Sequence, residues 1–138
     1  QPESVASGDE FRTFSQLAGK VHFPAAVVSY IARICEATHP TASNAPPMIR
    51  EYVRYGASPR AAISIAEAAR VDALLDGKPT AGFDNVKRVT APALVHRLVL
   101  DYRARLDGIE PRGVVNELLS SVQELRNPLP DEVVDAQS

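Results

Sequence analysis

The amino-acid sequence predicts an all-α fold, a small bundle of four or five main helices. Apolar residues recur at helical spacing along most of the 138-residue chain, as they do on the buried faces of helices. Serine or proline stands where several of these segments begin and glycine where they end, which is typical of helix starts and stops. No run of β-branched residues alternates strictly with polar ones, as a half-buried strand would require.

The first two helices follow a polar start. Residues 1–10 are interpreted as a linker, and a short amphipathic helix follows from Phe11 and ends at Gly19. The next helix begins at Pro24, because the missing N–H of proline is not needed in a first helical turn. It ends near His39. Its apolar face consists of Val27, Val28, Ile31, Ile34 and Cys35.

The clearest helix start lies near the middle of the chain. Ser58 is a suitable N-cap residue, and Pro59 occupies the first helical position. The helix runs to about Asp76 and stops at Gly77, since glycine tolerates the backbone conformation that ends a helix. Small residues at helical spacing predict a ridge that a neighbouring helix can approach closely. This ridge consists of Ala62, Ala66, Ala69 and Ala73.

The second half of the chain predicts two more helical segments before the last helix. Residues 84–89 form a short helix, which Pro92 restarts or kinks. The helix then continues to about Leu106. Its apolar residues lie four apart: Leu94, Leu98 and Tyr102.

The last helix begins at Pro111, and the polar residues after it are not expected to pack. The sequence therefore predicts three parts. Residues 1–10 are a linker, residues 11–126 are one helical domain, and residues 127–138 are a flexible tail.

Composition limits the classes of function. The net charge of -2 argues against a strongly basic nucleic-acid-binding surface. The single cysteine, Cys35, cannot form an internal disulfide, which fits a reducing, cytoplasmic compartment. No apolar run reaches the roughly 18 residues of a membrane span, so neither a membrane nor a nucleic acid is the expected partner.

The sequence contains no self-sufficient active site. It lacks a GxxxxGK[ST] phosphate-binding loop and the HExxH, CxxC and GxSxG motifs. His22, His39 and His96 lie far apart and lack the spacing of metal ligands, so no metal site is expected. Cys35 falls on an apolar helix face and is interpreted as a core residue. The chain alone is expected to be inactive.

The most informative segment is YGASPRA, residues 55–61. Arg60 lies in the first turn of a helix, where partial positive charge makes a cation unfavourable by roughly 0.3–1 kcal/mol. This placement favours a bound anion, because helix N–H groups and a guanidinium together form a phosphate site. The spacing alone also fits an Arg60 that merely pairs with a surface carboxylate.

The order of the motifs resembles the C-terminal lid of MoxR-family AAA+ proteins. The resemblance covers roughly Phe11 to Val122, and the helix that ends in Thr38 and His39 resembles the first helix of that lid. The segments that carry it are GASPRA at 56–61, the alanine-rich helix, the turn at 77–78, FDNV at 83–86 and APALVHRL at 91–98.

The resemblance implies that Arg60 is the sensor-2 residue, which contacts the γ-phosphate of ATP bound to the preceding α/β domain. It also implies that Gly56, Ala57, Ser58 and Pro59 belong to the nucleotide site. ATP and Mg would be used by the parent protein, an ATP hydrolase, and neither is expected to bind tightly to this chain.

The resemblance further implies partners and a cellular role. The partners are the protein's own N-terminal AAA+ core, further copies in a homo-oligomeric ring that is expected to be a hexamer, and a von Willebrand factor A-domain protein. The implied activity of the parent is chaperone-like remodelling or maturation of a client protein.

Three positions depart from the family pattern. Lys78 stands where arginine is frequent, Gly82 where serine or threonine is frequent, and Asn85 where aspartate is common. These positions are expected on outer helices, where they would affect partner contacts more than the fold. Arg97, next to His96, is interpreted as a tie between two helices through a carboxylate or helix-end carbonyls.

Two other functions stay open at this point. The chain could be a free-standing helical interaction module with no nucleotide role, or a DNA-binding helical domain of a replication-type AAA+ protein. A phosphate-binding loop encoded upstream in the parent gene would favour the AAA+ lid. The absence of such a loop would favour the free-standing interaction module. Salt-dependent DNA binding would favour the third function.

Overall fold

The computed structural model describes residues 3–125, which contain seven helices and a two-stranded sheet. Five of these helices have eleven or more residues, so the predicted all-α bundle with four or five main helices is confirmed. The predicted tail lies outside the described residues. The elements are α1 (Gly8–Gly19), α2 (Ala25–Ala37), α3 (Pro47–Tyr52), β1 (Val53–Tyr55), α4 (Pro59–Leu75), α5 (Phe83–Leu94), β2 (Val99–Leu100), α6 (Tyr102–Leu106) and α7 (Pro111–Ser121).

Helix α4 lies at the centre of the bundle and packs against α1, α2 and α5. The predicted alanine ridge is wrong in its first half, because Ala62 and Ala66 are only partly buried. The larger Ile65 faces the core instead, and its burial removes more apolar surface from water. The fully buried stripe of α4 consists of Ala61, Ile65, Ala69 and Ala73.

The hydrophobic core joins residues from most of the bundle and contains few aromatic rings. Tyr30 of α2 is fully buried, and its ring meets that of Phe83 edge to face with the centroids 5.4 Å apart. Aliphatic side chains fill the rest. The largest of them are Ile34, Ile49, Ile65, Leu94, Val114, Val115 and Leu118.

Helix α1 begins at Gly8, earlier than the sequence interpretation placed it, so residues 8–10 of the predicted linker are helical. A capping box explains the early start: the Glu10 amide donates to Ser7 Oγ at 3.2 Å, and the Ser7 amide donates to Glu10 Oε2 at 2.7 Å. Serine followed three residues later by glutamate is the signal for such a start. Within α1 only Ala18 is fully buried.

The predicted continuous helix from Pro92 to Leu106 is wrong. The chain leaves the α-helix after Leu94, forms β2, and re-enters a short helix, α6. The amide of Asp101 donates to the Tyr52 carbonyl at 2.7 Å, and the Asp101 carboxylate accepts from the Arg103 amide at 3.1 Å as the cap of α6. The hydrogen bond between Asp101 and Tyr52 stabilises the break in the helix, and so does the Asp101 cap. Together they outweigh the local apolar spacing that favours one continuous helix.

Strands β1 and β2 pair antiparallel, with Val53 opposite Leu100 and Tyr55 opposite Val99. The register shifts between Val53 and Tyr55, as at a β-bulge. The small sheet matters for function because β1 leads directly into the segment that starts α4.

Candidate functional site

The start of α4 presents Arg60 to solvent. Ser58 is the N-cap in extended conformation, Pro59 is the first helical residue, and Arg60 follows it. All three are exposed. The Ser58 side chain makes no capping hydrogen bond. Pro59 has no N–H and the Ala61 amide donates to the Ser58 carbonyl at 2.8 Å, so among the first three helical residues the backbone N–H of Arg60 is left for another acceptor.

No ion pair or side-chain hydrogen bond formed among residues 3–125 involves Arg60. The cations paired there are Arg12, Lys78, Lys87 and Arg88. The arrangement therefore does not match an Arg60 that is held by a surface carboxylate of the described chain. An exposed guanidinium at the start of a helix, next to its own unpaired backbone N–H, is chemically suited to an oxyanion supplied from outside.

The two residues before Ser58 face inward. Ala57 is 1% exposed, and its amide donates to Thr38 Oγ1 at 2.9 Å. Gly56 lies so close to the end of α2 that a Cβ placed on it would be 2.7 Å from the Thr38 carbonyl oxygen and 2.7 Å from His39 Nδ1. Gly56 and Ala57 thus pack against α2 and support the turn from its inner side.

Thr38 is the functional candidate that the sequence interpretation missed. It is fully buried at the C-cap of α2, and its hydroxyl donates to the Cys35 carbonyl at 2.6 Å while accepting from the Ala57 amide. The signal available in the sequence was a polar β-branched residue at the end of an apolar helix. Its partner, however, lies 19 residues away, and local patterns do not reveal such a pair.

Cys35 is a core thiol, as the sequence indicated. It is partly buried and packs against the main hydrophobic cluster. Burial raises the pKa of the Cys35 thiol to about 11, and a protonated thiol is a poor nucleophile. The residue therefore contributes packing and, through its carbonyl, an acceptor for Thr38.

Arg97 ties two parts of the bundle together, as interpreted from the sequence, but through a different partner. Its Nη2 donates to Ser64 Oγ of α4 at 3.0 Å, whereas a carboxylate or helix-end carbonyl was expected. The contact anchors the turn after α5 to the second turn of α4. His96 beside it is exposed.

Asn85 is not the outer-surface residue that the sequence interpretation expected. It is 1% exposed at the start of α5, where Oδ1 accepts from the Gly82 amide at 2.9 Å. Its Nδ2 donates to Asp72 Oδ2 of α4 at 2.7 Å. An aspartate here would offer no donor to Asp72, so asparagine suits this contact between α4 and α5.

A second helix repeats the proline–arginine start. Helix α7 begins with Pro111, followed by the exposed Arg112, and its N-cap Glu110 also makes no side-chain capping bond. The dipeptide alone therefore does not mark a functional site. What distinguishes Arg60 is its place after a segment fastened to α2.

Neither a metal cluster nor a membrane-spanning element is found in the described part of the chain. Between residues 3 and 125, no three His, Cys, Asp or Glu side chains are grouped so that they could bind a metal ion. No helix in that range combines the length and apolar character needed to cross a membrane.

Comparison with known proteins identifies the class of this fold. The model of the AAA lid domain family matches residues 47–118, which include α4 and Arg60. A solved structure of a proposed ATPase from Cytophaga hutchinsonii superposes with a TM-score of 0.74 at 29% identity, covering 78% of this chain and 33% of the other.

Two curated relatives narrow the class. The chain is 33% identical over 122 residues to the chaperone MoxR1 of Mycobacterium tuberculosis, covering 88% of this chain and 32% of that protein. It is 27% identical over 123 residues to the uncharacterized protein YeaC of Bacillus subtilis, covering 88% of this chain and 35% of that protein. The chain therefore belongs to the AAA lid domain family, as a lid of the MoxR type.

The chain spans about one third of the length of these relatives, 32% and 35%.

Proposed function

We propose that this chain is the C-terminal, nucleotide-responsive lid of a MoxR-type ATPase and that Arg60 is its sensor-2 residue. In the full-length protein, Arg60 donates hydrogen bonds to the γ-phosphate of ATP bound by the core domain. The family membership favours this function over the free-standing module and the DNA-binding domain. No contact or surface of the described residues supports either of those two functions.

The observation that carries the proposal is the placement of Arg60 directly after a segment that is held against the end of α2. Arg60 is exposed at the second position of α4 and forms no ion pair among residues 3–125. The first turn of a helix favours a negative charge close by, so a cation placed there is best satisfied by an anion. A guanidinium offers the planar pair of donors that matches a phosphate oxygen pair.

The neighbouring residues contribute in two ways. Ser58 and Pro59 are exposed beside Arg60 and form the nucleotide-facing turn. Gly56 and Ala57 support that turn from the α2 side, where they are already in contact with Thr38. Magnesium and the other phosphates are bound by the core domain, since no metal-ligand cluster exists in the described part of this chain.

The contact couples the lid to the nucleotide. Arg60 binds the γ-phosphate before hydrolysis and loses that partner afterwards, so the preferred angle between lid and core depends on which nucleotide is bound. The parent protein uses this motion in a homo-oligomeric ring, a hexamer, in the cytoplasm. There it remodels or matures a client together with a von Willebrand factor A-domain protein.

The direct test is Arg60→Ala in the full-length protein. We expect the ATP turnover number to fall roughly 100- to 1,000-fold, the order of effect for removing one donor to transition-state charge, with an unchanged unfolding midpoint because the side chain is exposed. Steady-state ATP hydrolysis and thermal unfolding measure the two quantities.

Arg112→Ala is the matched control. Arg112 has the same position after the same first-turn proline in α7 and is also exposed, so its removal should leave turnover unchanged. Unchanged turnover in Arg60→Ala would remove Arg60 from the mechanism. Equal losses in both variants would show a general charge effect in place of a specific contact.

A further inference from the structure

We propose that Thr38 is a positioning residue for Arg60: its buried hydroxyl fixes the chain before α4 against the end of α2 and thereby fixes the backbone position from which the Arg60 side chain projects. This inference rests on the proposed sensor-2 function. It concerns a residue on another helix, which does not itself contact nucleotide.

The hydroxyl of Thr38 uses both of its hydrogen-bonding capacities. It donates to the Cys35 carbonyl at 2.6 Å and accepts from the Ala57 amide at 2.9 Å. Thr38 is 0% exposed and Ala57 is 1% exposed. Water therefore cannot replace the bond without opening the structure, and loss of the hydroxyl would leave a buried N–H without a partner.

The end of α2 does not need this hydroxyl for its own termination. The backbone amide of Thr38 already donates to the Cys35 carbonyl at 3.2 Å, so that carbonyl is satisfied without the side chain. What the hydroxyl alone supplies is the acceptor for Ala57. Its specific contribution is thus the link to the segment that starts α4.

A second contact restrains the same segment. Gly56 fits against the Thr38 carbonyl and His39 with no room for a Cβ. From this fixed point the chain reaches Arg60 through Ser58 and Pro59, and the proline ring restricts its own φ angle. Few backbone torsions of residues 56–59 therefore remain free. The backbone position of Thr38 largely determines the backbone position of Arg60.

The structure supplies a control threonine of equal burial. Thr90 of α5 is also 0% exposed, and its hydroxyl donates to the Val86 carbonyl one turn earlier in the same helix at 2.7 Å. Removal of this hydroxyl removes a hydrogen bond within α5 and none to α2 or to the start of α4. A role in stability alone predicts the same behaviour for both threonines.

The experiment compares Thr38→Val, Thr38→Ser, Thr90→Val, Arg60→Ala and the double variant Thr38→Val/Arg60→Ala in the full-length protein. We expect Thr38→Val to lower the turnover number for ATP roughly tenfold, as misplacement of a reacting group does. Thr38→Ser should restore it, and Thr90→Val should leave it unchanged. The double variant should be no slower than Arg60→Ala, because Thr38 acts through Arg60.

The remaining outcomes separate the two proposals. If Arg60→Ala lowers turnover but Thr38→Val does not, Thr38 has no positioning role and the sensor-2 proposal stands. If Arg60→Ala changes nothing, the sensor-2 proposal fails and the role of Thr38 fails with it. A double variant much slower than Arg60→Ala, or a Thr90→Val as slow as Thr38→Val, would also overturn the inference.

The geometry can be tested without activity, in case Thr38→Val destabilises the full-length protein. Thr38→Ser retains the acceptor, so we expect the Ala57 amide to exchange its hydrogen as slowly as in the wild-type chain. In Thr38→Ala that amide should exchange at least tenfold faster relative to the amides of α4. Equal exchange in the two variants would contradict the proposed link.

Discussion

The two ends of helix α4 contact the rest of the protein through different kinds of polar group. At its start, the Thr38 hydroxyl accepts a hydrogen bond from the Ala57 amide, and Gly56 fits tightly against the end of α2. Both contacts hold the backbone, while Arg60 stays exposed. At its end, Arg88 of α5 pairs with Asp72 at 2.7 Å and with Asp76. Charge is thus neutralised within the described chain at one end of α4, whereas none of the described residues forms an ion pair with Arg60 at the other end.

The contrast has a physical reason. The C-terminal end of a helix carries partial negative charge, so Asp72 and Asp76 are unfavourable there unless cations lie close. Arg88 and Lys78, which is 3.6 Å from Asp76, supply them. An arginine at the start of α4 is equally unfavourable, but no described residue compensates it. Because Arg112 of α7 is also without an ion pair among residues 3–125, the missing partner alone does not single out Arg60, and the segment held against α2 makes the difference.

The largest effect on stability is expected at the start of α4, where close packing of Gly56 holds the chain. Gly56→Ala should lower the free energy of unfolding by about 3 kcal/mol, the upper part of the range for forcing atoms into a filled site, because a backbone carbonyl at 2.7 Å blocks the new Cβ. Urea denaturation of the 138-residue chain measures the change.

The control for this prediction is Gly113→Ala. Nothing lies within 4 Å of a Cβ at Gly113 in α7, and alanine favours a helix by roughly 0.8–1 kcal/mol over glycine. Stability should therefore stay equal or rise. A Gly56→Ala variant as stable as this control would show that the start of α4 is not tightly fitted.

An intermediate effect is expected at the other end of α4. Asn85→Asp removes the amide donor to Asp72 and adds a buried negative charge, so unfolding free energy at neutral pH should fall by about 2 kcal/mol. Asn116→Asp on the exposed face of α7 is the control and should change little. Equal stability of the two variants would mean that the polar contact between α4 and α5 contributes nothing specific.

The smallest effect is expected from Arg88→Ala, and it should depend on pH. The Arg88 guanidinium, by hydrogen bonding and then by its charge, holds the pKa of Asp76 below its ordinary 3.8. The stabilisation is therefore present above pH 3.8 and disappears as the pH falls through the lowered value. Added salt should reduce it as well, because the pair is exposed.

The measurement is the difference in unfolding free energy between wild type and Arg88→Ala at neutral and strongly acidic pH. We expect a difference at neutral pH that shrinks on acidification. A difference independent of both pH and salt would show that Arg88 acts through packing of its aliphatic stem. The C-terminal end of α4 would then be held by packing, like its start, and not by charge.

The sequence was sufficient to predict most helices and the start of α4. Pro24, Pro59 and Pro111 predicted three helix starts to within a residue, because a proline near a helix start acts through local geometry alone. The exposure of Arg60 also followed from its place in a first turn.

The features that the sequence did not predict depend on residues far apart in the chain. Strands β1 and β2 are two to three residues long and exist because distant segments pair, so no local alternation identifies them. The Thr38–Ala57 bond and the inward position of Asn85 arise in the same way. Asn85 looked like a weak departure from a family pattern until its neighbour Asp72 was known.

The 17 residues of α4 also give the domain a lever arm. At 1.5 Å per residue the helix measures about 25 Å, so a tilt of roughly ten degrees about its first turn sweeps its last turn through about 4 Å. Because Arg88 and Asn85 hold α5 against that far end, a tilt of α4 would move α5 with it. A small rotation at the first turn of α4 would thus become a movement of several ångströms at its last turn.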